Sequence, residues 1–164
     1  MKAGLRRQWV MALLGMTLAA CGEVSTPNTP SEPVQTAQPW KDTPVMPMSL
    51  QEVVDTYVLG GIRTDLQRDA MTAKLFGAIV SWRFKVYDVA KEHGRYRVMS
   101  ELMNGADEGA FGKFTVVAFV TPRDEQDVQA LLKLQTGSEI EIRGRVDGVT
   151  VRTALVLSPA ELVR

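Results

Sequence analysis

From Ala78 onward the apolar residues of this chain change their period. Upstream, Val53, Val54, Tyr57 and Val58 recur on one helical face. Downstream, Ala78, Val80, Trp82, Phe84 and Val86 alternate with Ile79, Ser81, Arg83, Lys85 and Tyr87. Side chains on a strand point to opposite faces in turn, so this alternation predicts a long strand with one face buried. Whatever the chain folds into must cover that face, which makes a sheet the centre of the domain.

The same reasoning lays out the rest of residues 49–164. Ser49 with Glu52, and Thr64 with Gln67, have the spacing of capping boxes and predict two helices ahead of the strand. Gly60-Gly61 ends the first helix, and the second runs to about Leu75 with Leu66, Ala70, Ala73 and Leu75 inward. Lys91 to Gly94 predicts a turn. Tyr96, Val98, Ser100 and Leu102 alternate in a second strand. Asn104-Gly105, Gly109 and Gly112 mark a loop, and the apolar run Phe114 to Val120 predicts a central third strand stopped by Pro122. Asp124 to Leu134 predicts an amphipathic helix with Val128, Leu131, Leu132 and Leu134 inward. Ile140, Ile142 and Val146 alternate in a fourth strand, Asp147-Gly148 gives a hairpin signal, and Val149, Val151, Thr153, Leu155 and Leu157 alternate in a fifth strand that Pro159 ends.

Three strands, a helix and two strands is the order of the OB-fold, a five-stranded, partly open Greek-key β-barrel of the α+β kind. The expected architecture is that barrel, with a helix between strands 3 and 4 and helices N-terminal to it. The stretch LLKLQTGSEIEIRGRVDGV, followed by TVRTALVLSP, resembles the bacterial envelope family of OB-fold proteins named for similarity to tRNA anticodon-binding domains. The resemblance spans Leu75 to Val163. It implies the fold and an envelope location, and it does not imply tRNA binding.

The N-terminus carries its own signature. Lys2, Arg6 and Arg7 precede an apolar run, Val10 to Leu18, that is too short to span a bilayer, which takes about 20 residues. Leu18-Ala19-Ala20-Cys21 follows. A positive start, a short apolar core and small residues at a cleavage point predict an export signal over residues 1–20. The last four residues resemble the bacterial lipobox, which implies cleavage before Cys21 and lipidation of its thiol. Arg6-Arg7 also fits a twin-arginine signal, although the general secretory route is expected. Gly22 follows where an Asp would imply inner-membrane retention in enterobacteria, so the outer membrane, facing the periplasm, is expected. Cys21 is the chain's only cysteine, so no intramolecular disulfide can form.

Residues 21–48 hold six of the eight prolines, with Ser, Thr and Gln. Such a composition buries too little apolar surface to offset chain entropy. A lipidated, disordered tether is therefore expected, reaching at most about 80 Å when extended at about 3 Å per residue. Trp40 reads as a lone aromatic at the domain edge.

Charge narrows the partners. Removing residues 1–20 leaves 16 basic against 19 acidic side chains. Nucleic-acid binders usually carry a basic excess, so no nucleic acid is expected. No nucleophile motif, phosphate loop or metal-ligand spacing is present, and no catalytic residue, metal or cofactor is expected. His93 reads as a solvated turn residue and Asp107-Glu108 as loop acids. The candidate surface is the outer face of the first three strands: Arg83 and Lys85, Arg95 and Arg97, Val117 and Phe119. An anionic or glycan ligand, or a protein partner, would suit basic groups beside an exposed aromatic. Outward arginines also serve simply to discourage edge-to-edge pairing. The leading expectation is a membrane-tethered, non-enzymatic module that binds an envelope protein.

Overall fold

The computed structural model describes residues 40–164. Cys21, the export signal and most of the expected tether lie outside the described residues.

Order begins before Ser49. Trp40–Asp42 forms one 3-10 turn. Val45 then makes a parallel bridge to Ile79, and the Met46 amide donates to the Ile79 carbonyl at 2.7 Å. The Trp82 indole donates to the Met48 carbonyl at 2.8 Å, and Met48 is buried. Residues 40–48, read from composition as tether, thus cover the edge of the first strand. A proline-rich segment can do this because an edge needs few donors from it.

Two helices follow. In α1 (Leu50–Tyr57) the Ser49 hydroxyl accepts from the Glu52 amide, and Val53, Val54 and Tyr57 are buried. In α2 (Asp65–Leu75) both bonds of the Thr64–Gln67 capping box form. The expected inner stripe of α2 is wrong except at Leu75: Leu66 is 81% exposed, and Ala70 and Ala73 are exposed too. The inward face is Arg68, Met71, Thr72 and Leu75. Arg68 is buried because its Nε donates to the Thr56 carbonyl at 3.0 Å and its Nη1 reaches Asp65 at 2.9 Å. A paired charge can occupy an inner face that an unpaired one cannot.

The sheet has six strands: β1 (Ile79–Glu92), β2 (Arg95–Ser100), β3 (Met103–Asn104), β4 (Lys113–Val120), β5 (Glu139–Thr150) and β6 (Ala154–Leu162). One more strand than expected arises from β3, a two-residue ladder against β4. Helix α3 (Glu125–Lys133) connects β4 to β5. β1 pairs with β2 through its second half and with β5 through its first half. β2 pairs with β4, β4 runs parallel to β6, and β6 pairs back onto β5. Five strands therefore pair in a ring. The mixed sheet and its helices are compatible with a barrel-like α+β domain of the OB type.

The interior of the ring is filled by Val80, Val98, Phe114, Val116, Ile142 and Leu155, all fully buried. Leu131 of α3 joins this core; Leu132, expected inward, is 64% exposed. β5 and β6 approach closely at Gly144, where a Cβ would lie 3.0 Å from the Ala160 Cβ and 3.1 Å from the Leu157 Cβ.

Two hairpin expectations are corrected. Asp147-Gly148 lies inside β5, across a register shift. The chain instead reverses at Val151 and Arg152, with φ of 49° and 59°, closed by the Thr153 amide on the Thr150 carbonyl at 3.0 Å. Pro159 does not end β6. The strand continues to Leu162, and Pro159 sits at shifts in both flanking ladders, where a missing N–H costs no ladder bond.

Candidate functional site

β1 and β2 join through a two-residue turn, His93 and Gly94, both at positive φ, with Glu92 facing Arg95 across it. This turn starts the register of the strand face. Arg97 lies opposite Phe119 and Met99 opposite Val117. Four of the six candidate residues, Arg95, Arg97, Val117 and Phe119, therefore share one patch on β2 and β4.

Arg83 and Lys85 do not join them. They lie on the first half of β1, facing Glu141 and Glu139 of β5. Lys85 and Ala90, the β1 partner of Arg97, are five residues apart, or about 17 Å of strand. Arg83, Lys85 and Arg95 are exposed, while Arg97, Val117 and Phe119 are half-buried; β1 serves two different neighbours and carries its basic residues to separate flanks. Arg83 and Lys85 instead border a cleft of about 330 Å³ with Leu50, Glu101, Leu102 and Met103.

The basic groups also differ in how they are satisfied. Arg83 reaches Glu141 at 3.1 Å. Glu141 is held below the usual carboxylate range, first by the Ser81 hydroxyl and then by Arg83. Arg97 binds Glu92 at 2.7 Å and Asp88 at 3.3 Å, so its charge is largely answered. Arg95 has no ion pair among the described residues. Its guanidinium lies 5.1 Å from the Phe119 ring centroid, a cation–π contact. The Arg95–Phe119 pair is the part of the patch with unspent binding capacity.

A second exposed region lies where the α1–α2 turn, the β3–β4 loop and the β5–β6 turn meet. The Phe111 amide donates to the Leu59 carbonyl at 3.0 Å, Asp107 accepts from the Ile62 amide at 3.1 Å, and Arg152 reaches Asp65 at 2.8 Å. These bonds hold three apolar tips outward: Ile62 at 77%, Phe111 at 74% and Val151 at 83% exposure. Phe111 lies against Gly60, where a Cβ would come within 2.5 Å of its ring. Sequence patterning did not single out this region. Val151 was read as a strand residue, and the loop glycines gave no hint of which side chains they would present.

His93 is an exposed turn residue, and Asp107 is used to tie the loop to Ile62. Among the described residues no three His, Cys, Asp or Glu side chains gather as a metal-ligand set. No described helix is long and apolar enough to cross a membrane.

No protein-family model and no curated protein matches the chain. Solved structures do. A candidate nucleic acid-binding lipoprotein from Klebsiella pneumoniae is 22% identical over 58% of this chain and 77% of its own, with a TM-score of 0.38. An OBody bound to hen egg-white lysozyme is 14% identical over 58% of this chain and 91% of its own, with a TM-score of 0.34. Aspartyl tRNA synthetase from Entamoeba histolytica is 17% identical over 80% of this chain and 24% of its own, with a TM-score of 0.40.

Proposed function

We propose that this chain is a non-enzymatic binding module of the bacterial envelope, anchored by lipid on Cys21 and serving as an accessory subunit of a protein assembly. In this reading the five-strand ring is an OB-fold Greek-key barrel like that of the anticodon-binding-like envelope family, with α3 between its third and fourth strands. The anchor sits in the outer membrane facing the periplasm, and residues 21–39 form the tether. Nucleic acid is not the partner, because an exported chain with a slight acidic excess has neither the access nor the field for it.

The observation that carries the protein-partner reading is the trio Ile62, Phe111 and Val151. Isolated exposed apolar residues are ordinary, but three on neighbouring loops that are tied down by the Phe111–Leu59 backbone bond, the Ile62–Asp107 bond and the Arg152–Asp65 ion pair make a patch of the kind that marks an interface. A photo-crosslinking residue at Phe111, in cells making the Cys21-bearing chain, should trap one discrete protein, and Ile62→Asp should abolish the adduct. No discrete adduct, or one indifferent to Ile62→Asp, contradicts the reading.

A second reading is favoured by the Arg95–Phe119 pair: an anionic or glycan ligand bound on the strand face. Arg95→Glu with Arg97→Glu should abolish retention on an anionic polysaccharide; unchanged retention removes this reading. Arg95 should account for most of the loss, since Arg97 already has two carboxylates.

A further inference from the structure

Ten arginines lie in the described residues, and seven of them reach a carboxylate within the 4.0 Å of an ion pair. The three that do not are Arg63, Arg95 and Arg145. Two of these three converge on a single residue. Arg95 Nη1 of β2 donates to the Ser158 hydroxyl at 3.5 Å, and Arg145 Nε of β5 donates to the Ser158 carbonyl at 3.3 Å. The ladders explain the meeting. Tyr96 faces Val120, Val120 faces Ala160, and Ala160 faces Gly144. Ser158 and Pro159 fill the irregular step between Leu157 and Ala160, which face Ala118 and Val120 on β4 and Val146 and Gly144 on β5, so Ser158 lies between Phe119 and Arg145. With Arg95 beside Tyr96, these residues occupy one band across four neighbouring strands.

The chemistry of this band is one-sided. Both guanidiniums spend one N–H on a neutral acceptor, and their other N–H groups have no partner among the described residues. The Ser158 hydroxyl accepts from Arg95, so its own hydrogen remains to donate. Asp147, two residues from Arg145 along β5, pairs with neither arginine. Two like charges brought to one residue repel each other until an anion sits between them. The planar guanidinium fork matches an oxyanion bidentately, and two cations with a hydroxyl donor match a group of nearly two negative charges.

We propose that Arg95, Arg145 and the Ser158 hydroxyl form a binding site for a phosphate monoester group. The site narrows, and rests on, the second reading above, in which the strand face takes an anionic ligand. A phosphate monoester carries between one and two charges near neutral pH. It is presented either by a phosphorylated small molecule or by the headgroup of phosphatidic acid.

The test follows the side-chain Nε resonances of the full chain, purified in detergent, during titration with inorganic phosphate and, separately, with phosphatidylcholine vesicles with and without phosphatidic acid. The Arg95 and Arg145 signals should move together and saturate while that of Arg63 stays fixed. Arg95→Gln and Arg145→Gln should each weaken binding at least about tenfold, the effect of losing one charge-assisted contact, and Arg63→Gln should leave it unchanged. A response to free phosphate assigns a small molecule; a response to phosphatidic acid vesicles alone assigns the lipid. A response shared equally by Arg63, or none to either probe, overturns the proposal. If anionic polysaccharide is then still retained through Arg95, only the phosphate site falls; if it is not, the broader ligand reading falls as well.

Discussion

The ring of Tyr57 in α1 stacks on Phe114 of β4, with centroids 5.6 Å apart and planes 14° apart. Through this pair the helix that precedes the sheet becomes part of the same hydrophobic core. The Tyr57 hydroxyl continues the chain of contacts to Thr72 of α2 at 2.7 Å. Burial raises the Tyr57 pKa, with the Thr72 hydrogen bond opposing it, so the phenol stays neutral and bonded at neutral pH. Tyr57→Ala should cost about 3–5 kcal/mol of unfolding free energy, as aromatic truncations in cores do. Tyr57→Phe should cost about 1 kcal/mol, the worth of one hydrogen bond. Urea unfolding of both variants separates the stack from the hydroxyl.

Asp127 ties α3 to the end of β6. It is 1% exposed as a side chain and accepts from the Arg123 Nε at 2.9 Å and from Arg164 at 2.8 Å. The Arg123 hydrogen bond, above all, holds its carboxyl well below the usual range, against the opposing effect of burial. A carboxylate whose pKa falls on folding contributes fully above its unfolded pKa of about 3.9, and that contribution fades as the pH drops through the lower folded value. Asp127→Asn should therefore destabilise the protein at pH 7 by about 2–4 kcal/mol. The gap between variant and wild type should shrink in acid. A gap independent of pH, measured by urea unfolding across the acid range, contradicts the assignment.

Val151 occupies the left-handed region at φ 49°, where a β-branched residue is an outlier. Val151→Asn should raise stability by about 1 kcal/mol, because Asn tolerates that conformation at lower cost. The same change should weaken the Phe111 crosslink to the partner. Thermal unfolding beside the crosslinking yield measures both, and a strained apolar tip retained at a cost in stability is what an interface role predicts.

Gly144→Ala should destabilise by about 1–3 kcal/mol, as overpacking does. Its new methyl would face the Ala160 and Leu157 Cβ atoms at 3.0 and 3.1 Å and the Pro159 carbonyl at 3.2 Å, so there is backbone on one side and no flexible end to move. Ala160→Gly in the same chain should recover part of the loss. No recovery would place the strain elsewhere.

Much of this was legible in the residues. The alternation from Val80 to Val86 sorted Trp82 and Phe84 inward and Arg83 and Lys85 outward, as found. Caps at Ser49 and Thr64 were readable because capping is local chemistry. The inner face of α2 was not, because its buried member is an arginine satisfied by a carbonyl on another helix. The turn at Val151-Arg152 was hidden behind Asp147-Gly148, a better local signal that lost to the pairing of β5 with β6. The site divides the same way. Arg95 and Phe119 could be placed on one face from alternation across β2 and β4. Arg145 and Ser158 joined them only through the parallel β4–β6 ladder, a pairing between distant segments that periodicity does not reveal.

The claim on which the envelope reading depends is the anchor at Cys21, and mass spectrometry of the N-terminal peptide, with palmitate labelling in cells, tests it most directly. The account predicts a mature chain beginning at Cys21 with a thioether-linked diacylglycerol and an acylated amino group, and for Cys21→Ala an unprocessed, unlabelled precursor. A free thiol on Cys21, or normal processing and label in Cys21→Ala, would contradict it.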